Sequence, residues 1–193
     1  MIDLEPAAIR VARVLAEVDD DQLGRPTPCG TSSVGDVIDH IGTMATAFTA
    51  KARHDIGGPT TGGPPPPPSA GNLGEGWREQ MAARLHTLAA AWAEPSAWEG
   101  MTKAGGLDLP GKVAGLVVLD ELIIHGWDVA VATGVAYSVP EDEVQAAMAF
   151  VSSFDAPRDG SLFGPVVAVP DSALAFDRLL GLTGRDPAWK PSA

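Results

Sequence analysis

Apolar residues recur at helical spacing along most of this chain, in segments broken by glycine and proline. Residues 3 to about 20 carry Ile9, Ala12, Val14, Leu15 and Val18 on one stripe, which predicts a first amphipathic helix. Gly24-Arg25-Pro26-Thr27-Pro28-Cys29-Gly30 reads as a loop, because its two prolines stop regular hydrogen bonding. Ser32 or Ser33 then offers an N-cap, and Asp36 falls in the first turn, where the helix dipole favours a carboxylate. Val37, Ile38, His40, Ile41, Met44 and Phe48 carry this second helix towards His54. A third helix is predicted from about Glu75 to Ala93, with Trp77, Met81, Leu85, Leu88 and Trp92 as its stripe. Residues 98–109 read as irregular and Gly-rich. Pro110 starts a fourth helix that ends near Thr133-Gly134. Pro140-Glu141-Asp142-Glu143 opens a fifth, ending near Phe154. Residues 163–170 predict a short extended segment. Asp171 or Ser172 caps a last helix through Leu182, closed by Thr183-Gly184.

Four longer helices and about two shorter ones predict an all-α protein: an up-and-down four-helix bundle with short C-terminal helical additions. The length of 193 residues suits one well-buried core, so residues 1–193 are expected to form a single domain. The Pro/Gly-rich stretch at about 57–74 is too broken to pack as an element. A loop of that length is a mobile connection or a cover over a site.

The net charge of -12 repels phosphate backbones and anionic membrane surfaces, which argues against general nucleic-acid binding. No run approaches the apolar length of a membrane span, and the acidic N-terminus lacks a signal pattern, so a cytoplasmic protein is expected. A single cysteine, Cys29, excludes an intrachain disulfide and a cysteine-only zinc site. Its expected role is packing.

The chemistry concentrates in Asp120-Glu121-Leu122-Ile123-Ile124-His125-Gly126-Trp127-Asp128. Glu121 and His125 lie close to one helical turn apart and project from one face, and Asp128 returns to that face. A Glu-His pair at this spacing is often a solvated surface pair. The apolar flanks, Leu116 to Leu119 and Leu122 to Ile124, argue against that reading. Two polar groups on so apolar a helix are costly to bury without a partner, and a divalent cation is an economical one. A catalytic zinc site takes three protein ligands and one open position. His40, among Val37, Ile41 and Met44, supplies the third. His54 would sit roughly 20 Å further along the second helix. Its setting suggests a solvated helix end. His86 is one position off the third helix's stripe. Asp128 is the candidate catalytic base, or a group that orients His125, or a solvated helix-end residue. Arg53 and Arg78 are candidates to meet a substrate carboxylate. Trp127 is placed to wall a pocket, and the C-terminal segments read as a structural tail.

Three ordered motifs carry a family resemblance. Thr27-Pro28-Cys29 leads into Val34-Gly35-Asp36-Val37-Ile38-Asp39-His40; the Asp120–Asp128 run continues to Ala132-Thr133-Gly134; Phe163-Gly164-Pro165 leads to Asp177-Arg178 and on to Arg185-Asp186-Pro187. The chain resembles the actinobacterial branch of the DinB/YfiT-like metalloenzymes, related to the N-terminal domain of mycothiol-dependent maleylpyruvate isomerase. The resemblance implies a four-helix bundle holding a divalent metal, zinc or alternatively nickel. The family's triad of His, then Glu-x-x-x-His, falls on His40, Glu121 and His125. It also implies mycothiol as cosubstrate, with S-transfer to, or isomerisation of, a small electrophilic substrate. One departure stands out: relatives carry Trp shortly after the Thr-Pro-Cys motif, where this chain has Ser32-Ser33. Metal-assisted hydrolysis is a second reading. A non-enzymatic metal- or small-molecule-binding module, associating as a homodimer through an exposed apolar helix face, is a third.

Overall fold

The computed structural model describes residues 1–55, 67–104, 107–153, 158 and 163–191. Pro6 and Glu5 start α1 (Glu5–Ala16), where a missing N–H and a negative charge both suit a helix N-terminus. Its buried side is Ala7, Ala8, Val11, Val14 and Leu15, so the stripe is rotated from the expected one; Ile9 is 44% exposed. The helix stops at Ala16, and a 3-10 turn follows at Asp20–Gln22.

Ser33 caps α2 (Val34–Ala52). Its Oγ accepts from Asp36 N at 3.2 Å, and Asp36 returns the favour by accepting from Ser33 N at 2.9 Å. The other expected cap, Ser32, instead accepts at its carbonyl from the buried Thr27 hydroxyl at 2.8 Å. That hydroxyl also accepts from Cys29 N at 3.1 Å, so the Thr-Pro-Cys loop folds back on itself. Asp36 and Asp39 then hold the incoming strap at 69–72: Asp36 accepts from Ala70 N, and Asp39 from Ser69 N and the Asn72 amide.

Next come α3 (Trp77–Trp92) and a 3-10 turn at Pro95–Trp98. Where irregular chain was expected, β1 (Met101–Ala104) and β2 (Leu107–Pro110) pair antiparallel, Met101 opposite Pro110. The sequence between them reads Gly105-Gly106, a hairpin signal that a Gly-rich composition hides. Helix α4 (Gly111–Thr133) ends at Gly134, whose φ of +80° closes it, as expected. Helix α5 (Glu141–Ser153) begins with three acidic residues. Helix α6 (Ala175–Leu182) starts later than expected, because Ala173 N bonds Pro170 O in a turn and neither Asp171 nor Ser172 caps it. The expected end of α5 at Phe154 and the 57–66 part of the Pro/Gly-rich loop lie outside the described residues.

Helices α1 and α2 each pack against both α3 and α4, and α5 and α6 pack on each other beside α4. The fold is an all-α bundle with C-terminal additions. Leu15, Ile38, Ile41, Leu85, Leu88, Trp92, Leu119, Leu122 and Ile123 fill its centre. No helix among the described residues is long and apolar enough to cross a membrane. Trp92 donates to Phe48 O at 3.2 Å, and Trp98 donates to Trp92 O at 2.8 Å with the two indoles edge-on at 5.3 Å. These bonds tie α2, α3 and the Pro95–Trp98 turn together.

Gly115 of α4 is the point of closest approach to this tryptophan pair. A Cβ there would meet Trp98 Cζ3 at 2.4 Å, and the indole is held in place by its own hydrogen bond. Gly115→Ala gains about 1 kcal/mol of helix propensity. Overpacking costs about 1–3 kcal/mol. The variant is expected to have a lower urea midpoint than the parent; an equal or higher midpoint would show that the indole yields freely.

Candidate metal centre

The apolar character of α4 comes first, because it makes every polar group on its inner side conspicuous. Leu119, Leu122 and Ile123 are fully buried, and Glu121 and His125 emerge between them towards α2. On α2, His40 occupies the turn facing them. His40 Nε2 lies 2.9 Å from Glu121 Oε2, and His125 Nε2 lies 3.2 Å from the same oxygen. The two imidazoles meet edge-on, 4.7 Å between centroids. His40, Glu121 and His125 thus offer three donor atoms, all within 4.8 Å of one another. Ligands about 2.0–2.1 Å from a tetrahedral ion lie about 3.3 Å apart, so the two histidine–glutamate separations are close to those a shared cation requires. Two imidazole nitrogens and a carboxylate are also a donor set that suits zinc or nickel.

A second group of three, Cys29, His125 and Asp128, has the same compactness. Arg185 already stands inside it, with Nη2 3.1 Å from Asp128 Oδ2 and 3.4 Å from Cys29 Sγ. A cation placed there would face a fixed guanidinium, so the residues fit a metal at the first group and not at the second.

Asp128 corrects an expectation: it is 0% exposed, not a solvated helix-end residue. Its Oδ2 lies 3.0 Å from His125 Nδ1, and the Arg185 fork holds both its oxygens, Nε to Oδ1 at 3.4 Å and Nη2 to Oδ2 at 3.1 Å. Burial disfavours charge on His125, yet its bonds to Asp128, Cys29 and Glu121 outweigh that and push its pKa well above the usual imidazole value. Burial likewise opposes charge on Glu121, but the hydrogen bonds from His125 and His40 hold its carboxyl far below the ordinary range. Asp120 points the other way: burial, then the neighbouring Glu121 charge, push it up to about 7, and its Oδ1 has no hydrogen-bond partner.

The centre opens on a cavity of about 560 Å³. Pro28, Cys29, Ser32 and Asp36 wall it from the loop and the start of α2, and Pro68 from the strap. Gly164, Pro165, Gly184 and Arg185 wall it from the C-terminal region, so the tail that packs on the bundle also borders this space. Cys29 is half-buried: it packs against the core, as expected, and also lines this space. Trp127 is buried but does not line the cavity. Neither do Arg53 and Arg78; Arg78 is engaged with Asp20 and Val18 O. His54 lies past the end of α2, exposed, bonded to Ser96 O at 2.9 Å, and His86 is exposed on α3. Arg185 is the residue that sequence reasoning missed. The signal was its place directly after the helix-closing Gly184.

Comparison with known proteins follows the same lines. The family model described as mycothiol maleylpyruvate isomerase N-terminal domain matches residues 4–130, which include His40, Glu121, His125 and Asp128. Two uncharacterised proteins of Mycobacterium tuberculosis, one from strain CDC 1551 / Oshkosh and one from strain H37Rv, are each 28% identical over 184 residues, covering 90% of this chain and 91% of theirs. No solved structure matches the chain significantly. With most of the chain matched, it belongs to the mycothiol maleylpyruvate isomerase N-terminal domain family.

Proposed function

We propose that the protein holds a divalent cation, zinc in first place and nickel in second, through His40, Glu121 and His125. We propose further that it uses the centre on a low-molecular-weight thiol, mycothiol, as an S-transferase or isomerase of a small electrophilic substrate. The observation that carries this reading is the convergence of three donors from two helices at the wall of one open cavity. When bound, such a cation lowers the pKa of a thiol that meets it, so that the nucleophilic thiolate is available near neutral pH.

The chain's own residues supply the rest. Asp128 accepts from His125 Nδ1–H, which fixes the ring and leaves Nε2 facing Glu121 and the cavity side. Asp128 is therefore a positioning residue in this reading, not a base that touches substrate. Ser32 and Asp36 give the cavity a polar side, while Pro28, Val37, Pro68 and Pro165 give it an apolar one. A guest with both hydroxyls and an apolar edge suits that lining. The same burial of Asp128 weighs against metal-assisted hydrolysis, because the carboxylate expected to serve as base is already shared by His125 and Arg185.

Protein purified without a histidine tag is expected to contain close to one divalent ion per chain by elemental analysis. His125→Ala is expected to lose at least about tenfold in metal affinity while its far-UV circular dichroism is retained. Unchanged metal content in that variant would contradict the ligand set. On the metal-loaded protein, turnover of electrophiles is expected to depend on added thiol; ester or amide hydrolysis without thiol would favour the hydrolase reading.

Protons and cation compete for the same groups, which gives a pH dependence. His125 has a raised folded pKa, so its contribution to stability is full below about 6.5 and is lost as pH rises through the raised value. Asp120, raised to about 7, adds a cost that grows as pH climbs from the carboxylate range to that point. Glu121, lowered, contributes above the ordinary carboxylate range and loses that contribution only as pH falls below it. Chelator-stripped protein is therefore expected to melt highest near pH 5 and lower at pH 8. The increment in Tm from added zinc is expected to grow over the same interval. A flat Tm without metal would show that the buried cluster does not titrate as described.

A further inference from the structure

Among the described residues Asp128 has two cationic neighbours, and one of them, His125, belongs to the family-matched region. The other comes from the C-terminal segment, and its placement is built rather than incidental. Helix α6 closes with paired backbone bonds: Gly184 N to Gly181 O at 3.1 Å and Arg185 N to Leu180 O at 2.8 Å. This is the Schellman arrangement, which requires a left-handed residue, here Gly184 at φ +86°. A Cβ on Gly184 would also lie 2.8 Å from Gly164 Cα, so two glycine backbones cross there. The closure delivers the Arg185 side chain to the cavity wall. There its Nη1 donates to Thr183 O at 3.0 Å, its Nη2 to Cys29 Sγ at 3.4 Å, and its fork spans Asp128.

We infer that Arg185 is a positioning residue of the metal centre: through Asp128 it fixes the His125 imidazole, so that the C-terminal segment is part of the site. The inference rests on the proposed ligand set. A fully buried carboxylate shared by one imidazole has a free oxygen and room to rotate. The guanidinium fork removes that freedom by engaging both oxygens. Lysine keeps the charge but not the fork, so Arg185→Lys preserves only part of the effect. Arg158 provides the contrast. It donates to Leu182 O of the same tail and makes no hydrogen bond to Asp128.

The test is metal affinity by competition with a chromophoric chelator, using zinc, and the ligand-field spectrum of the cobalt-loaded protein. The wild type, Arg185→Met, Arg185→Lys, Asp128→Asn and Arg158→Met are compared, with far-UV circular dichroism as the check on folding. Arg185→Met is expected to bind zinc about 10–100-fold more weakly and to shift the cobalt bands. Arg185→Lys is expected to fall between it and the wild type. Asp128→Asn should lose a similar amount, and the double variant Arg185→Met/Asp128→Asn should lose little more than either single one, because both act through one imidazole. Arg158→Met should bind as the wild type does. Wild-type affinity and an unshifted spectrum in Arg185→Met would overturn the inference while leaving the metal centre intact. Equal loss in Arg158→Met would overturn it too, by reducing Arg185 to tail docking. If Arg185→Met fails to fold, unchanged affinity in Arg185→Lys overturns it. Failure of the wild type to bind any cation would sink both the inference and the reading beneath it.

Discussion

Glu121 is a carboxylate held between two imidazoles on a helix whose other inner residues are almost all apolar. A group of that kind is costly to bury unless its charge is matched. The match comes from hydrogen-bond contacts to His125, one turn away on α4, and to His40 on α2, so the register of α2 against α4 is fixed by this polar contact as well as by the packing of Ile38, Ile41 and Leu122. The same demand recurs one turn further along. Asp128 is fully enclosed, and it draws His125 from one side and Arg185 from the other. The polar line from His40 to Arg185 thus crosses three segments distant in sequence, and the cavity lies along it.

Much of this was legible before any coordinates. The caps and stops of α2 and α4 follow from local chemistry, since Ser33 with Asp36 and Gly134 act on their own few neighbours. The triad was legible for a related reason. Glu121 and His125 share a helix face by spacing alone, and His40 lies on the apolar side of its own helix. What stayed hidden depends on contacts across the fold. The rotation of α1 that leaves Ile9 outward is set by what α3 and α4 present to it. Asp128, near the end of an apolar run, admits a solvated reading beside the functional ones until the tail that covers it is placed. Arg185 after a helix-closing glycine reads only as part of a structural tail, and nothing local shows that its guanidinium reaches Asp128 and Cys29. The β1–β2 hairpin was missed because each strand is only four residues long, too short for alternation to stand out.

Family membership and geometry speak to different parts of the chain. The matched residues 4–130 contain the three donors and Asp128, and they account for the bundle. The remaining residues add α5, α6 and the walls at Gly164, Pro165, Gly184 and Arg185.

The central claim is that one cation is shared by α2 and α4. Anomalous diffraction from zinc-loaded crystals, collected on both sides of the zinc edge, addresses it most directly. The account predicts a single strong peak bounded by His40 Nε2, the Glu121 carboxylate and His125 Nε2. A peak between Cys29 and Asp128, or none within the bundle, would contradict it.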